Sequence, residues 1–201
     1  MKDIVIPLFP LNGAILFPQA NLPLNIFEKR YLDMVEFSLK SNRLIGMIQM
    51  NEKLELYSVG CIGKINSFTE TNDGTFMINL IGQNYYSLKK KLPETKKFIL
   101  ANVKIISNKA NNERESLNSF NKNLLVEKYR KYIEVKNMQV DTSLIQDIDT
   151  ADLIKFIAMS CPFCVEDKQM LLETSDLIKL GEKTTSLLEF YLQNTGNKTI
   201  N

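Results

Sequence analysis

Apolar residues alternate along the first half of this chain and recur at helical spacing along the second. A sequence with one such change of period folds as strands followed by helices. Up to about residue 107 the apolar segments are short and separated by turn signals: "DIVIPLFPL", "RLIGMIQM", "VGCIGKINSF", "TFMINLIG" and "FILANVKIIS". Each predicts a strand. Phe76, Ile78 and Leu80 share one face of the fourth, after "TNDG", whose Asp73-Gly74 pair favours a hairpin turn. Ile99, Ala101, Val103 and Ile105 alternate in the fifth. One helix interrupts this region: from Glu28 to Lys40, Tyr31, Met34, Val35 and Leu39 fall on one face, which is expected to pack on the sheet.

A polar, Gly-free connector, "SNKANNERES" near 107 to 116, separates the two periods. Beyond it Leu117, Phe120, Leu124 and Tyr132 predict a long first helix, and Leu153, Ile154 and Ile157 predict another. A last helix carries Leu177, Leu180, Leu187, Leu188 and Tyr191, with Ser175 as its expected N-cap. The fold class is therefore α+β in two segregated parts, β-rich over 1–107 and helical over 113–196.

Composition narrows the chemistry. At 201 residues and 44% apolar content the chain can bury a substantial core. It has no histidine, which removes Ser-His and Cys-His nucleophile pairs, His-ligated zinc and the commonest general base near neutral pH. Three cysteines do not make a disulfide framework and fit reduced thiols. A net charge of +2 is too small to argue for nucleic acid or an anionic membrane. No apolar run reaches the roughly 20 residues of a bilayer span, and Asp3 and the prolines of "MKDIVIPLFP" interrupt any signal-peptide core, so the expected compartment is the cytosol.

Pro7, Pro10, Pro18 and Pro23 stand among apolar residues near the N-terminus, a pattern of edge strands, bulges and kinks more than of a central strand. That same stretch resembles the start of the Lon protease N-terminal substrate-binding domain, above all the stand-alone bacterial proteins made of that domain alone. The resemblance rests on Pro7 to Leu11 (PLFPL), Leu16 to Pro18 (LFP), Leu22 to Leu24 (LPL) and Ile26 to Tyr31 (IFE-x-RY). It continues through Val59 to Ile65 (VGC-x-G-x-I), Asp73-Gly74 and the strand ending at Gly82, and the KQ-x-LLE run beginning at Lys168. It implies a mostly antiparallel β pseudo-barrel or sheet with one packed helix, followed by a C-terminal helical bundle. At "GQNYYSL" the chain departs from the family, which carries arginine in a G-x-x-R-F pattern where Asn84, Tyr85 and Tyr86 stand here. Any anchoring role of that arginine is lost here or passes to tyrosine hydroxyls.

What the resemblance implies for function is binding without hydrolysis. Full-length Lon proteases add a P-loop ATPase module and a Ser-Lys peptidase module, and neither motif is found here. The expected partners are unfolded or hydrophobic polypeptide segments, or else one folded protein for which the chain is an adaptor; no cofactor, metal, nucleic acid or membrane is expected. Tyr57, Tyr85 and Tyr86 are the candidate peptide contacts, because an amphipathic ring packs on an apolar side chain while its hydroxyl stays wet; the competing reading is sheet packing alone.

Three motifs compete with this reading. Cys161-Pro162-Phe163-Cys164 is a glutaredoxin-like CxxC, but it follows an apolar helix where a thioredoxin-type site follows a strand, so packing at a helix corner is set against thiol redox chemistry. In "LGEKTTS", Glu182 separates Gly181 from Lys183, which leaves the polar face of a helix in place of a phosphate loop. The five lysines of "LKKKLPETKK" are expected in a solvated, Pro-containing hairpin loop in preference to a nucleic-acid contact.

Overall fold

The structure is a computed structural model and describes residues 3–93, 95–106, 117–142 and 145–196. The connector expected at 107 to 116 lies outside the described residues. The chain divides into two compact units, 1–108 and 109–201. The described residues hold a six-stranded sheet and five α-helices, an α+β fold.

The first unit contains β1 (Asp3–Pro10), β2 (Asn21–Ile26), α1 (Lys29–Leu39), β3 (Leu44–Ile48), β4 (Val59–Glu70), β5 (Phe76–Lys91) and β6 (Ile99–Ile106). The strand order is β2-β5-β4-β3-β1-β6, and β6 pairs again with β5. Five strands therefore close into a ring, with β1–β3 parallel and the other pairs antiparallel. The long strand β5 makes closure possible: its Phe76–Ile81 stretch pairs with β2, and its Tyr85–Lys91 stretch pairs with β6 along the same edge. Register shifts at Ile62/Gly63, Ile65/Ser67 and Leu88/Lys90 give the two long strands their bends.

Two sequence expectations change here. β1 is interior to the ring, yet it carries Pro7 and Pro10. Pro7 is paired only with β6 and Pro10 only with β3, so each missing N–H falls where one side of the strand has no ladder. The lysine-rich segment from 88 is strand as far as Lys91, because Leu88 alternates inward while Lys89 faces out.

A ring of five strands is narrow, and side chains fill it. Ile6, Leu8, Ile48, Ile62, Ala101 and Val103 surround Tyr86, which is 0% exposed. The Tyr86 hydroxyl donates to the Met47 carbonyl at 3.2 Å and so satisfies its own burial. Room for the ring comes from glycine: a Cβ on Gly60 would stand 2.6 Å from Tyr86 Cζ, and one on Gly46 would stand 3.0 Å from its Oη. The opposite face of the sheet is closed by the segment around Leu16 and Phe17 and by α1. Phe9 meets Tyr31 with centroids 4.4 Å apart, and Tyr31, Met34 and Val35 are buried as their spacing predicts, while Ser38 takes the fourth buried position in place of Leu39. Asp73-Gly74 forms the β4–β5 turn, with Gly74 at φ 78°.

The second unit contains a 3-10 turn (Leu117–Ser119), α2 (Lys122–Val135), α3 (Thr150–Ser160), α4 (Val165–Leu172) and α5 (Leu177–Gly196). The first helix begins later than the apolar spacing predicts, because Asn121 caps it by accepting from Leu124 N–H, and Leu124 is exposed. Helix α5 touches α2, α3 and α4. Its start is capped by Asp176, which accepts from Lys179 N–H at 2.8 Å; Ser175 stands one residue too early. Only part of "LGEKTTS" is a polar face, since Thr184 is buried and a Cβ on Gly181 would meet Phe120 at 2.6 Å.

Candidate functional site

The three tyrosines do not form one surface. Tyr85 and Tyr86 are adjacent on β5, so their side chains point to opposite faces. Tyr86 is removed from the set of peptide contacts, because it lies inside the ring and has no surface to offer. Tyr85 is half-buried, opposite Cys61 on β4 and Ile106 on β6. Tyr57 is half-buried just before β4, its N–H donating to the Gln49 carbonyl at 3.0 Å. Counted from Gly82, Tyr85 stands at the arginine of the G-x-x-R-F pattern and Tyr86 at its phenylalanine, and it is the Tyr86 hydroxyl that ties β5 to β3.

The edge of the sheet is a better candidate surface. β2 pairs with β5 and with no other described strand. Gly82 N–H donates to the Ala20 carbonyl at 2.9 Å, and the pairing continues as Leu22↔Leu80, Leu24↔Ile78 and Ile26↔Phe76. Antiparallel pairing alternates, so those three residues turn their backbone groups toward β5. Asn21, Pro23 and Asn25 turn theirs away, and among the described residues these outward groups have no partner. Nearby lie exposed apolar side chains: Phe27 at 68% and Met77, the β5 neighbour of Asn25, at 59%. The edge strand expected of the Pro23 stretch is β2: in "NLPLNI" Leu22, Leu24 and Ile26 alternate, and Pro23 stands on the outward side.

The CPFC segment is a helix corner. Cys161 is the C-cap of α3 and is buried; Cys164 is the N-cap of α4, its sulfur accepting from Asp167 N–H at 3.4 Å. The corner is tied to α5, because Cys164 N–H donates to Tyr191 Oη at 2.9 Å and that hydroxyl donates to Asp167 Oδ2 at 2.8 Å. Burial pushes the Cys161 thiol up to about 12 and raises Cys164 as well, the reverse of what an attacking thiolate needs. Among the described residues no three His, Cys, Asp or Glu side chains gather as a metal site. Cys161→Ala is expected to cost on the order of 1 to 3 kcal/mol through the small cavity it leaves, and Cys164→Ser to be near neutral because serine caps as well. Urea unfolding of both variants checks this; disulfide reductase activity that disappears with Cys164 is the contrary result.

Lys168, the first residue of the KQ-x-LLE run, is 2% exposed, and its Nζ donates to the Met159 carbonyl at 2.7 Å. A buried cation is placed where the carbonyls of the last turn of α3 attract it. Burial still pushes its pKa down to about 8 from 10.5. Between those values the unfolded chain holds a proton that the folded one has lost, so this group makes stability rise with pH. The Cys161 thiol, raised from 9.0, gives the opposite slope above about pH 9. The stability difference between wild type and Lys168→Met is therefore expected to shift toward wild type by about 2 to 3 kcal/mol from pH 7 to pH 10.5. Unfolding at both pH values tests it, and an unchanged difference refutes it.

The fold is shared with solved Lon N-terminal domains. The Lon N-terminal domain protein of Xanthomonas campestris superposes with a TM-score of 0.64 at 21% identity, covering 91% of this chain and 98% of that one. The N-terminal domain of Mycobacterium avium complex Lon protease does so at 0.63 and 14%, covering 95% and 99%. The chain belongs to the family of the ATP-dependent protease La (LON) substrate-binding domain, whose model matches residues 5–189. The Lon proteases of Dictyoglomus thermophilum and Endomicrobium trichonymphae are each 26% identical to it over 92% of its length, and the chain spans 24% of each of them. The match thus lies on the substrate-binding domain and on no catalytic domain of Lon. No helix among the described residues is long and apolar enough to cross a membrane.

Proposed function

We propose that this chain is a polypeptide-binding module that holds unfolded or hydrophobic segments in the cytoplasm without hydrolysing them. The observation that carries the reading is membership of a substrate-binding family with a match confined to that domain. The reading divides the chain into a β pseudo-barrel over 1–107 and a helical bundle over 113–196. Tyr57 and Tyr85 keep enough surface to touch a bound chain; Tyr86 serves only the core.

Affinity is expected in the micromolar range, since ordering an unfolded partner offsets much of the contact energy, and salt is expected to matter little at a net charge of +2. The test is a titration of a fluorescently labelled, permanently unfolded protein by anisotropy, with and without ATP. Saturable binding that ignores ATP supports the module. Absence of saturable binding at high micromolar protein rejects it in favour of an adaptor for one folded partner, and turnover of ATP or peptide overturns the non-enzymatic assignment.

A further inference from the structure

Resting on that reading, we propose that the docking site is the outer edge of β2 and that its occupant is an extended segment of unfolded polypeptide, added as a further antiparallel strand. The edge offers two donors, Asn21 N–H and Asn25 N–H, and three acceptors, the carbonyls of Asn21, Pro23 and Asn25. Alternate residues of a strand lie about 6.8 Å apart, and a row of donors and acceptors with that repeat matches another extended backbone and not a helix.

The proline decides which extended chain fits. A second copy paired antiparallel through its own β2, centred on this residue, would set Pro23 against Pro23, so that each Pro23 carbonyl faces a proline nitrogen with no hydrogen to donate. A foreign segment brings an N–H to the Pro23 carbonyl and loses one acceptor contact only. Edge prolines block self-association in this way while leaving most of the edge open. The flanking side chains then set the sequence preference. On one face of β2, Leu22 and Leu24 are half-buried, so residues of the added strand on that side are apolar and extend the cover over them. On the other face stand the exposed Asn21 and Asn25, which suit polar residues, with Met77 one strand further in. The recognised segment is an alternating apolar/polar stretch of about five residues, with no proline opposite Asn21 or Asn25.

Two substitutions test the edge in opposite directions. Asn25→Pro removes an outward donor while leaving the β2–β5 ladder intact, because the Asn25 N–H does not point at β5. Pro23→Val restores the missing donor. With the labelled unfolded protein as probe, Asn25→Pro is expected to weaken binding at least fivefold and Pro23→Val to tighten it severalfold, and the Asn21 and Asn25 amides of wild type are expected to exchange more slowly when the probe is bound. Should Asn25→Pro fail to fold by circular dichroism, the Pro23→Val titration and amide exchange decide. Wild-type binding with both variants unchanged overturns the β2 site and leaves polypeptide binding standing. Lack of wild-type binding defeats the functional reading itself. A β2-dependent dimer seen by sedimentation, in place of probe binding, assigns the edge to a second copy and overturns the proposal.

Discussion

Tyr86→Ala is expected to lower the unfolding free energy by about 3 to 5 kcal/mol, and Tyr86→Phe by about 1 kcal/mol. The first change empties the middle of the strand ring, where Tyr86 touches residues from several strands and two glycines stand aside for it. Collapse cannot refill that space, because the hydrogen bonds around the ring fix its circumference. The second change keeps the ring volume and removes the 3.2 Å bond to the Met47 carbonyl alone. Burial also holds the Tyr86 hydroxyl pKa well above 10.0, so the phenol stays protonated and bonded throughout the neutral range. Far-UV circular dichroism in urea measures both. An alanine variant within 1 kcal/mol of wild type means that Tyr86 is not the centre of this core.

Gly82→Ala is expected to cost about 3 kcal/mol or more, at the upper end of overpacking, and to abolish the β2 edge with it. A Cβ there would stand 2.0 Å from the Phe17 carbonyl oxygen and 2.8 Å from its carbon. These are backbone atoms, which no rotamer change moves aside. The position is where the edge of β5 passes from β2 to β6: Gln19 N–H donates to the Gly82 carbonyl at 2.8 Å, and Gly82 N–H to the Ala20 carbonyl at 2.9 Å. Pushing residues 17–20 away therefore detaches β2 at its start. Gly63→Ala is the control, because the atoms nearest its Cβ would belong to the Leu16 and Leu80 side chains, at 3.0 and 3.2 Å, and its expected cost is about 1 kcal/mol. Equal stability of the Gly82 and Gly63 variants would show that the 17–20 segment yields freely.

The family motifs gain physical content from these contacts. In the LFP run, Leu16 and Phe17 are buried and the Phe17 carbonyl sits against Gly82. In IFE-x-RY, Ile26 ends β2 inside the core, Glu28 precedes α1 and pairs with Arg30 at 3.0 Å, and Tyr31 packs on Phe9. In VGC-x-G-x-I, Gly60 makes room for Tyr86 and Gly63 for Leu16. In KQ-x-LLE, Lys168 closes the end of α3 while Gln169 donates to Glu173 at 2.8 Å. The buried residues of these motifs serve packing, which is why the motifs identify the fold, while the exposed Pro23 of LPL stands on the open edge of β2.

Local interactions were legible in the sequence. The order of strands then helices, the buried face of Tyr31, Met34 and Val35, and the Asp73-Gly74 turn all depend on residues a few positions apart, and periodicity reports such neighbours directly. Closure of the ring depends on pairings between distant segments, and no local pattern encodes it. Tyr85 and Tyr86 look alike in the sequence, yet parity along β5, set only when β4 and β6 take their registers, sends one toward the surface and the other into the core. Pro7 and Pro23 look alike too; the first is carried inside the ring by its single-sided pairing, and the second is left on an open edge because no described strand follows β2 outward. Period and turn chemistry determined which segments become strands and helices, whereas the tertiary structure decided which faces and edges remain for a partner, since hydrogen-bond closure over long separations consumes some backbone groups and spares others.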